Sequence, residues 1–327
     1  MLVDENTIKH CLPLLIAQVK ALRDAEIIEV ESGEQNKSIE VCIELWKTLG
    51  EYKADRKSVF INLGGGVICD MGGFVAATFK RGIEFINIPT TLLAQVDASV
   101  GGKTGIDLNN LKNEIGVFSN PSTVIVYPGF LKTLNKKEYL SGFAEIIKHG
   151  LIADAKYWEQ VKQTELSDEA GIMELIKRSV QIKNEIVLSD PREQGRRKTL
   201  NFGHTIGHAL ESFFLEKNET TLLHGEAVAA GIICESYISF KKNKLSHEHL
   251  QQITTFILTL YKQIIFKKEE EIRLLELMKH DKKNQDATII FTLLSKIGSA
   301  EINKTCTVEL IRDSFKYYRE QYKHQYV

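Results

Sequence analysis

Three histidines and one glutamate in the second half of the chain have the residue types of a metal site. His204 and His208 are four residues apart in a proline-free stretch, so on a helix both imidazoles would lie on one face. His224 opens a later helical pattern, and Glu145 lies in an earlier one. A glutamate with two histidines is a ligand set of catalytic Zn²⁺ sites. The alternative is that these histidines have a structural role, because a lone buried histidine is more often a packing residue than a metal ligand.

A glycine-rich turn in the first half of the chain is typical of phosphate binding. Gly64-Gly65-Gly66 stands between an apolar run and a helical pattern, where backbone N–H groups and the helix dipole favour an anion. Asp70 follows in the first part of that helix. The turn matches neither GxGxxG nor a P-loop, so alone it also fits an ordinary strand-to-helix connection.

Basic residues add candidate anion contacts. In the segment 88–105, rich in small and polar residues, Lys103 follows two glycines in a run that can place an ammonium beside a bound anion. A second cluster precedes the histidines and consists of Lys183, Arg192, Arg196 and Arg197. It suits a clamp for a carboxylate or a phosphate, although a solvated loop is the alternative. A metal and a nucleotide together predict redox-assisted chemistry on a polyol or hydroxyacid.

Composition narrows the class of protein. The 327 residues are 43% hydrophobic and 26% charged, with a net charge of −1, so no bulk field favours nucleic acid or a membrane surface. The N-terminus lacks the pattern of a signal peptide, and no apolar run reaches the ~20 residues of a membrane span. The five cysteines are scattered and form no CxxC pair. These features predict a reduced, cytoplasmic protein.

Hydrophobic periodicity predicts two domains. Strand-like runs and helical patterns alternate over residues 1–135, as in an α/β nucleotide-binding domain, and residues 136–327 read as an all-α domain for metal and substrate. Predicted strands span 25–30, 58–63, 84–88 and 123–127, with helices over 37–53 and 67–80. Predicted helices of the second domain span 136–149, 155–161, 168–188, 199–214, 226–240 and 247–261. One short β-like run covers 288–294.

Long stretches of the chain resemble the 3-dehydroquinate synthase family. They are GGGVICDMGGFVAATFKRG, IPTTLLAQVDASVGGKTGIDL, KNEIG, GFAEIIKHGLIAD, LNFGHTIGHALE and LHGEAVAAG. The resemblance implies a dehydroquinate synthase-like fold, with the active site in a cleft between the two domains of a homodimer. It also implies a carbon–oxygen lyase of the shikimate pathway. Such an enzyme converts a phosphorylated keto-acid sugar, 3-deoxy-D-arabino-heptulosonate 7-phosphate, to 3-dehydroquinate and phosphate, using catalytic NAD and Zn²⁺ or Co²⁺.

The same resemblance implies roles for individual residues. The metal ligands would be Glu145, His204 and His224. The NAD site would include Asp4, Asn6, Glu34, Lys37, Gly65, Gly66, Val67, Asp70, Thr90, Thr91, Asp97 and Lys112. The substrate would be held by Lys103, Asn113, Lys148, Lys183, Arg197, Asn201, His208 and one lysine of Lys282 and Lys283. Arg81 would reach the phosphate from the partner subunit. The family also carries residues before the segment matching Leu2, so we expect domain 1–135 to lack its first strands.

Three rival interpretations remain. Another sugar-phosphate cyclase, such as 2-deoxy-scyllo-inosose synthase, would share the fold, NAD and the metal. A metal-dependent alcohol dehydrogenase of the glycerol dehydrogenase type would release NADH and would need no phosphate clamp. A catalytically inactive scaffold would keep the fold alone. Lys183, Arg197, Asn201 and His208 match the dehydroquinate type and favour that family.

Overall fold

The computed structural model describes residues 1–108, 111–217, 222–280 and 289–323. The chain forms two compact units, Met1–Gly142 and Phe143–Val327. The border between them falls within one helix, Lys136–Ala153. The boundary near residue 135 that the sequence patterns suggest stays a prediction.

A parallel sheet forms the centre of the first unit. The strands of this unit are β1 (Leu2–Asp4), β2 (Ile28–Val30), β3 (Val59–Gly64), β4 (Glu84–Pro89), β5 (Lys103–Leu108), β6 (Leu111–Phe118) and β7 (Thr123–Val124). Within the described residues, the parallel sheet has the order β2-β1-β3-β4-β7. The helices of the first unit are α1 (Glu5–His10), α2 (Leu12–Gln18), α3 (Ile39–Glu51) and α4 (Gly66–Thr78). The strands predicted over 25–30, 58–63, 84–88 and 123–127 all overlap strands of this sheet.

Helix α4 lies in the interior of this unit because it is apolar on nearly every side. Ile68, Met71 and Val75 join a buried cluster with Phe60 and Phe85 from the sheet. A helix that is hydrophobic all round is stable only when both faces are covered. The α/β arrangement of the first domain is therefore confirmed.

Part of the segment after β4 forms strands that the sequence patterns did not predict. Strands β5 and β6 form an antiparallel hairpin, with Lys103 opposite Phe118 and Ile106 opposite Ile115. The sequence patterns missed these strands because the segment is rich in glycine and polar residues, which are depleted in strands. A Cβ at Gly105 would lie 2.6 Å from the Ile115 carbonyl oxygen, so the close pairing requires glycine there.

The second unit is predominantly helical. Its helices are α5 (Lys136–Ala153), α6 (Ala155–Gln163), α7 (Glu169–Ser189), α8 (His204–Lys217), α9 (His224–Lys242), α10 (His247–Leu260), α11 (Glu271–His280) and α12 (Val308–Lys323). The predicted helical domain is confirmed, and it also contains a hairpin of β8 (Ile290–Lys296) and β9 (Ser299–Thr305). Sequence reasoning found part of β8 but missed β9, α11 and α12. Across the described residues, we find no helix long and apolar enough to cross a membrane.

Glycines set the close crossing of α8 and α9. Gly203 has a φ of +81°, so the predicted helix 199–214 breaks there into a 3₁₀ turn, Arg196–Asn201, followed by α8. A Cβ at Gly231 would lie 2.0 Å from the Gly203 carbonyl oxygen, and one at Gly207 would lie 3.2 Å from that of Ala227. The two helix axes can therefore approach only while these positions lack side chains.

Substitution of Gly231 should destabilise this crossing. Because a new methyl group must push Gly203 away, we expect Gly231→Ala to cost about 1–3 kcal/mol of unfolding free energy, a typical overpacking penalty. The measurement is urea unfolding followed by far-UV circular dichroism. The control is Gly50→Ala in helix α3, where a Cβ would have no described heavy atom within 4 Å. Its unfolding free energy should stay unchanged or rise by about 0.5–1 kcal/mol, because alanine favours a helix over glycine. Equal midpoints for the two variants would contradict the close crossing.

Candidate functional site

The carboxyl ends of the parallel strands bring several predicted nucleotide-site residues to one edge of the sheet. Asp4 ends β1 and caps α1, accepting the Thr7 N–H at 2.8 Å. Gly65 follows β3 as the N-cap of α4, and the Thr90 N–H donates to the Gly64 carbonyl oxygen at 3.0 Å. Ligands of open α/β sheets bind at this edge, and the helix start supplies N–H donors for a phosphate.

The other residues predicted for this site lie in neighbouring segments. Gly66 and Val67 form the first turn of α4, Thr91 follows β4, and Asn6 lies in α1. Glu34 lies in a 3₁₀ turn, Glu34–Asn36, and Asp97 in a π-helical turn, Ala94–Ala98. Arg81 is exposed in the turn after α4, with a φ of +67°. It is thus at the opposite end of α4 from the glycine turn, about 20 Å along the helix.

Lys37 is the centre of a charge network in the first unit. Its side chain is only 3% exposed, and its ammonium donates to Asp70 Oδ2 at 2.7 Å and to Asn113 Oδ1 at 2.6 Å. Burial lowers the pKa of Lys37, but the carboxylates of Asp70, Glu34 and Asp107 together outweigh burial, and the net shift is upward. Glu34 Oε1 lies 3.9 Å from both Lys37 Nζ and Lys112 Nζ. The network joins residues predicted for the cofactor to Asn113, which was predicted for the substrate.

Asp107 fixes Asn113 within this network, and sequence reasoning missed it. Asn113 has a φ of +54°, and its N–H donates to Asp107 Oδ1 at 2.7 Å. The Asp107 N–H in turn donates to the Lys37 carbonyl oxygen at 2.8 Å. Lys103, at the start of β5, is exposed and belongs to the same hairpin. Asp107 and Asn113 are six residues apart in the sequence, and the hairpin brings them together. Without the hairpin, the sequence patterns gave no reason to connect them.

The second unit gathers Glu145, His204 and His224 into one cluster. Glu145 lies within α5 and is fully buried, whereas His204 and His224 are the first residues of α8 and α9. Glu145 Oε1 lies 3.4 Å from His204 Nε2 and 3.6 Å from His224 Nε2. One ligand atom from each residue lies within 4.8 Å of the others. Glu145 Oε2 contacts the Lys148 ammonium, and among the described residues neither Glu145 oxygen accepts a regular hydrogen bond.

Both histidines direct the same ring nitrogen towards Glu145. His204 Nδ1 lies 3.1 Å from the Phe202 carbonyl oxygen, which can only accept, so the proton of the neutral ring is on Nδ1. His224 Nδ1 lies 3.2 Å from Glu211 Oε2. In the neutral form of each ring, the Nε2 lone pair then lies on the side of Glu145, which is the arrangement of metal-binding histidines. These residues therefore fit a divalent metal.

Opposing electrostatic effects act on the three residues. Burial raises the pKa of Glu145, but the Lys148 ammonium in contact with it and His204 hold that pKa well below its usual range. Burial and the Lys148 charge lower the pKa of His204 to about 3. Burial also lowers the pKa of His224, but the Glu211 and Glu145 carboxylates raise it to about 10. The Glu145 carboxylate is thus ionised and the His204 imidazole neutral, whereas His224 carries a second proton that a bound cation would displace.

The remaining predicted residues of this unit lie in or near the same helices. The His208 ring centroid is 5.1 Å from that of His204 and 6.1 Å from that of His224. Arg197 is 3% exposed, and its Nη1 donates to the Pro191 carbonyl oxygen at 2.8 Å. Asn201 Nδ2 donates to Glu193 Oε1 at 2.8 Å. Lys183 is buried in α7. Lys282 and Lys283 lie outside the described residues.

Buried polar residues outside the predicted set position these helices. Glu235, in α9 and fully buried, accepts the N–H groups of Gly203 at 2.7 Å and Ile206 at 3.1 Å, and so caps the start of α8 from a neighbouring helix. His149 Nδ1 lies 2.6 Å from Ser179 Oγ and joins α5 to α7. Sequence reasoning missed these contacts because each joins residues about 30 positions apart.

Comparison with known proteins defines first the class and then the family. The structure of ValA (2-epi-5-epi-valiolone synthase) from Streptomyces hygroscopicus subsp. jinggangensis matches with a TM-score of 0.82 and 24% identity, covering 98% of this chain and 90% of that one. A structure of 2-deoxy-scyllo-inosose synthase matches with a TM-score of 0.84 and 22% identity, covering 97% and 89%. At these identities the matches show only that this chain shares the fold of the two synthases.

Family-level evidence comes from the sequence. The family model described as 3-dehydroquinate synthase N-terminal matches residues 27–141, and the C-terminal model matches 142–284. A protein named 3-dehydroquinate synthase from Parabacteroides distasonis is 46% identical over 324 residues, covering 98% of this chain and 91% of that protein. The chain belongs to the 3-dehydroquinate synthase family, which confirms the predicted resemblance, and it is an enzyme of that family.

The Glu235 contact leads to a test of helix placement. In Glu235→Gln, one carboxylate oxygen becomes an NH₂ group facing a backbone N–H, so we expect a loss of about 1–3 kcal/mol in unfolding free energy. Urea unfolding measures this loss. Glu216→Gln is the control, because Glu216 is an exposed residue of α8 paired with Arg273, and such pairs contribute about 0–1 kcal/mol. Equal losses in the two variants would argue against Glu235 as a helix cap.

Proposed function

We propose that the protein converts 3-deoxy-D-arabino-heptulosonate 7-phosphate to 3-dehydroquinate and inorganic phosphate. The observation that carries the proposal is the cluster of Glu145, His204 and His224 in a member of the 3-dehydroquinate synthase family. A small phosphorylated sugar acid fits this family. The substrate requires a ligand site for its hydroxyl groups and cations for its carboxylate and phosphate.

The cofactors we propose are NAD and a divalent metal, Zn²⁺ or Co²⁺. The solved structures of related fold hold NAD⁺ with Zn²⁺ in one case and NAD⁺ with Co²⁺ in another. In this chain, the metal would bind the Glu145 oxygens and the Nε2 atoms of His204 and His224. NAD would occupy the sheet edge at Gly65, with Lys37 and Asp70 beside it. When bound, the metal would acidify a substrate hydroxyl, and the nicotinamide would accept a hydride and return it.

The chain's own residues would bind and orient the substrate. Lys148, Lys183 and Arg197 are buried cations, and such groups make strong charge-assisted hydrogen bonds to carboxylates and phosphates. We assign them to the substrate carboxylate and phosphate, with Asn201 as a neutral hydrogen-bonding partner. His208, next to the ligand histidines, is the candidate for proton transfer because a histidine can both donate and accept near neutral pH. Lys103 and Asn113 would contact the substrate from the hairpin.

The rival sugar-phosphate cyclases share the fold but fit less well. The two solved structures described above are 24% and 22% identical to this chain, whereas the Parabacteroides distasonis relative is 46% identical. Further parts of the proposal are a homodimer, in which Arg81 reaches the partner's substrate phosphate, and a cytoplasmic location. We also propose that residues 1–135 carry the nucleotide site and residues 136–327 the metal site.

An assay of phosphate release tests the proposed reaction. Purified protein with Zn²⁺ and substoichiometric NAD⁺ should release phosphate from 3-deoxy-D-arabino-heptulosonate 7-phosphate with no net rise in NADH absorbance, because the hydride returns in each turnover. His204→Ala should lose the activity together with bound metal. Net NADH formation would instead indicate a dehydrogenase. Phosphate release from glucose 6-phosphate alone would indicate a 2-deoxy-scyllo-inosose synthase.

A further inference from the structure

Glu211 is a buried carboxylate beside the metal cluster that none of the roles above uses. It lies on α8, three residues after His208 and seven after His204, and is 8% exposed. Residues at this spacing share a helix face, so Glu211 follows the two histidines along the side of α8 that faces the cluster. Its Oε2 lies 3.2 Å from His224 Nδ1, across the gap between α8 and α9.

This contact determines which nitrogen of His224 can bind a metal. A neutral imidazole carries one N–H, and an ionised carboxylate can only accept a hydrogen bond. When a metal displaces the proton on Nε2, Glu211 therefore keeps the remaining proton on Nδ1, and Nε2 is directed at the side of Glu145, 3.6 Å away. A negative charge on the far side of the ring also makes Nε2 a stronger donor to a cation.

His224 depends on such support more than His204 does. The His204 ring is held by the Phe202 carbonyl oxygen of its own segment and is 9% exposed. His224 is the first residue of α9, and its side chain is 24% exposed. A more exposed ring at a helix terminus has more rotational freedom to lose on metal binding. A hydrogen bond from Nδ1 to a buried carboxylate on another helix restricts that freedom.

We propose that Glu211 is a positioning residue that orients His224 and fixes its Nδ1–H tautomer, and that it thereby sets the metal affinity of the site. The inference rests on the proposed metal site at Glu145, His204 and His224. The positioning role differs from direct metal ligation by Glu211. Direct ligation is also geometrically possible, because one ligand atom each from His208, Glu211 and His224 lies within 4.8 Å of the others.

The test measures the Zn²⁺ dissociation constant of the full-length protein by competition with a chelator of known affinity. Glu211→Ala should bind Zn²⁺ about 10- to 100-fold more weakly than wild type, the usual effect of losing such an outer partner. Glu211→Gln should fall between the two, because its amide oxygen still accepts from Nδ1–H without the charge. A second readout is ¹⁵N NMR of histidine-labelled, zinc-loaded protein, in which the Nδ1–H signal of His224 should weaken in Glu211→Ala.

The control variant is Glu226→Gln. Glu226 lies two residues after His224 and accepts the Leu223 N–H at 3.0 Å, so it holds the start of α9 through the backbone. We expect its effect on Zn²⁺ affinity to be much smaller than that of Glu211→Ala. If Glu226→Gln weakened Zn²⁺ binding as much as Glu211→Ala, the affinity would depend on the stability of the start of α9 and not on the Glu211–His224 contact. That result would overturn the proposal.

Three further outcomes separate the remaining explanations. Wild-type affinity and an unchanged Nδ1–H signal in Glu211→Ala would overturn the positioning role. A loss of zinc in Glu211→Gln as complete as in Glu145→Gln would make Glu211 a ligand, which also overturns it. Absence of stoichiometric zinc in the wild-type protein would overturn the metal site itself and hence the proposed function.

Discussion

The second unit depends on one electrostatic constraint, a carboxylate that is fully buried in the middle of a helix. Burying an ionised Glu145 costs several kcal/mol unless opposite charge or hydrogen bonds compensate. Lys148, one helical turn later, supplies a positive charge, and the two histidine rings face the carboxylate from other helices. A divalent cation among these groups would complete the compensation, so packing and chemistry favour the same arrangement.

The surrounding helices can be understood from this requirement. For two histidines to face one glutamate, α8 and α9 must both begin at the cluster, and each does so at its histidine. Gly203, Gly207 and Gly231 allow the close crossing, and Glu235 satisfies the N–H groups at the start of α8. The first unit also contains a buried charge, the Lys37 ammonium, which donates hydrogen bonds to both Asp70 and Asn113.

Much of the fold and of the candidate site could be predicted from sequence, and the exceptions have physical reasons. The His204–His208 spacing predicted one helix face, and the rings are indeed neighbours. The hairpin β5–β6 was missed because its glycines and polar residues carry no strand periodicity. Glu211 could have been found from its spacing to His204. Glu235 could not, because a cap supplied by another helix leaves no local pattern.

The central claim is that Glu145, His204 and His224 bind one metal ion through the glutamate and the two Nε2 atoms. The most direct measurement is anomalous diffraction at the zinc absorption edge from crystals of the zinc-loaded protein. The account predicts one strong peak per chain, about 2.0–2.2 Å from a Glu145 oxygen and from both Nε2 atoms. A peak bound instead by His208, Glu211 and His224 Nδ1, or no peak at Glu145, would contradict it.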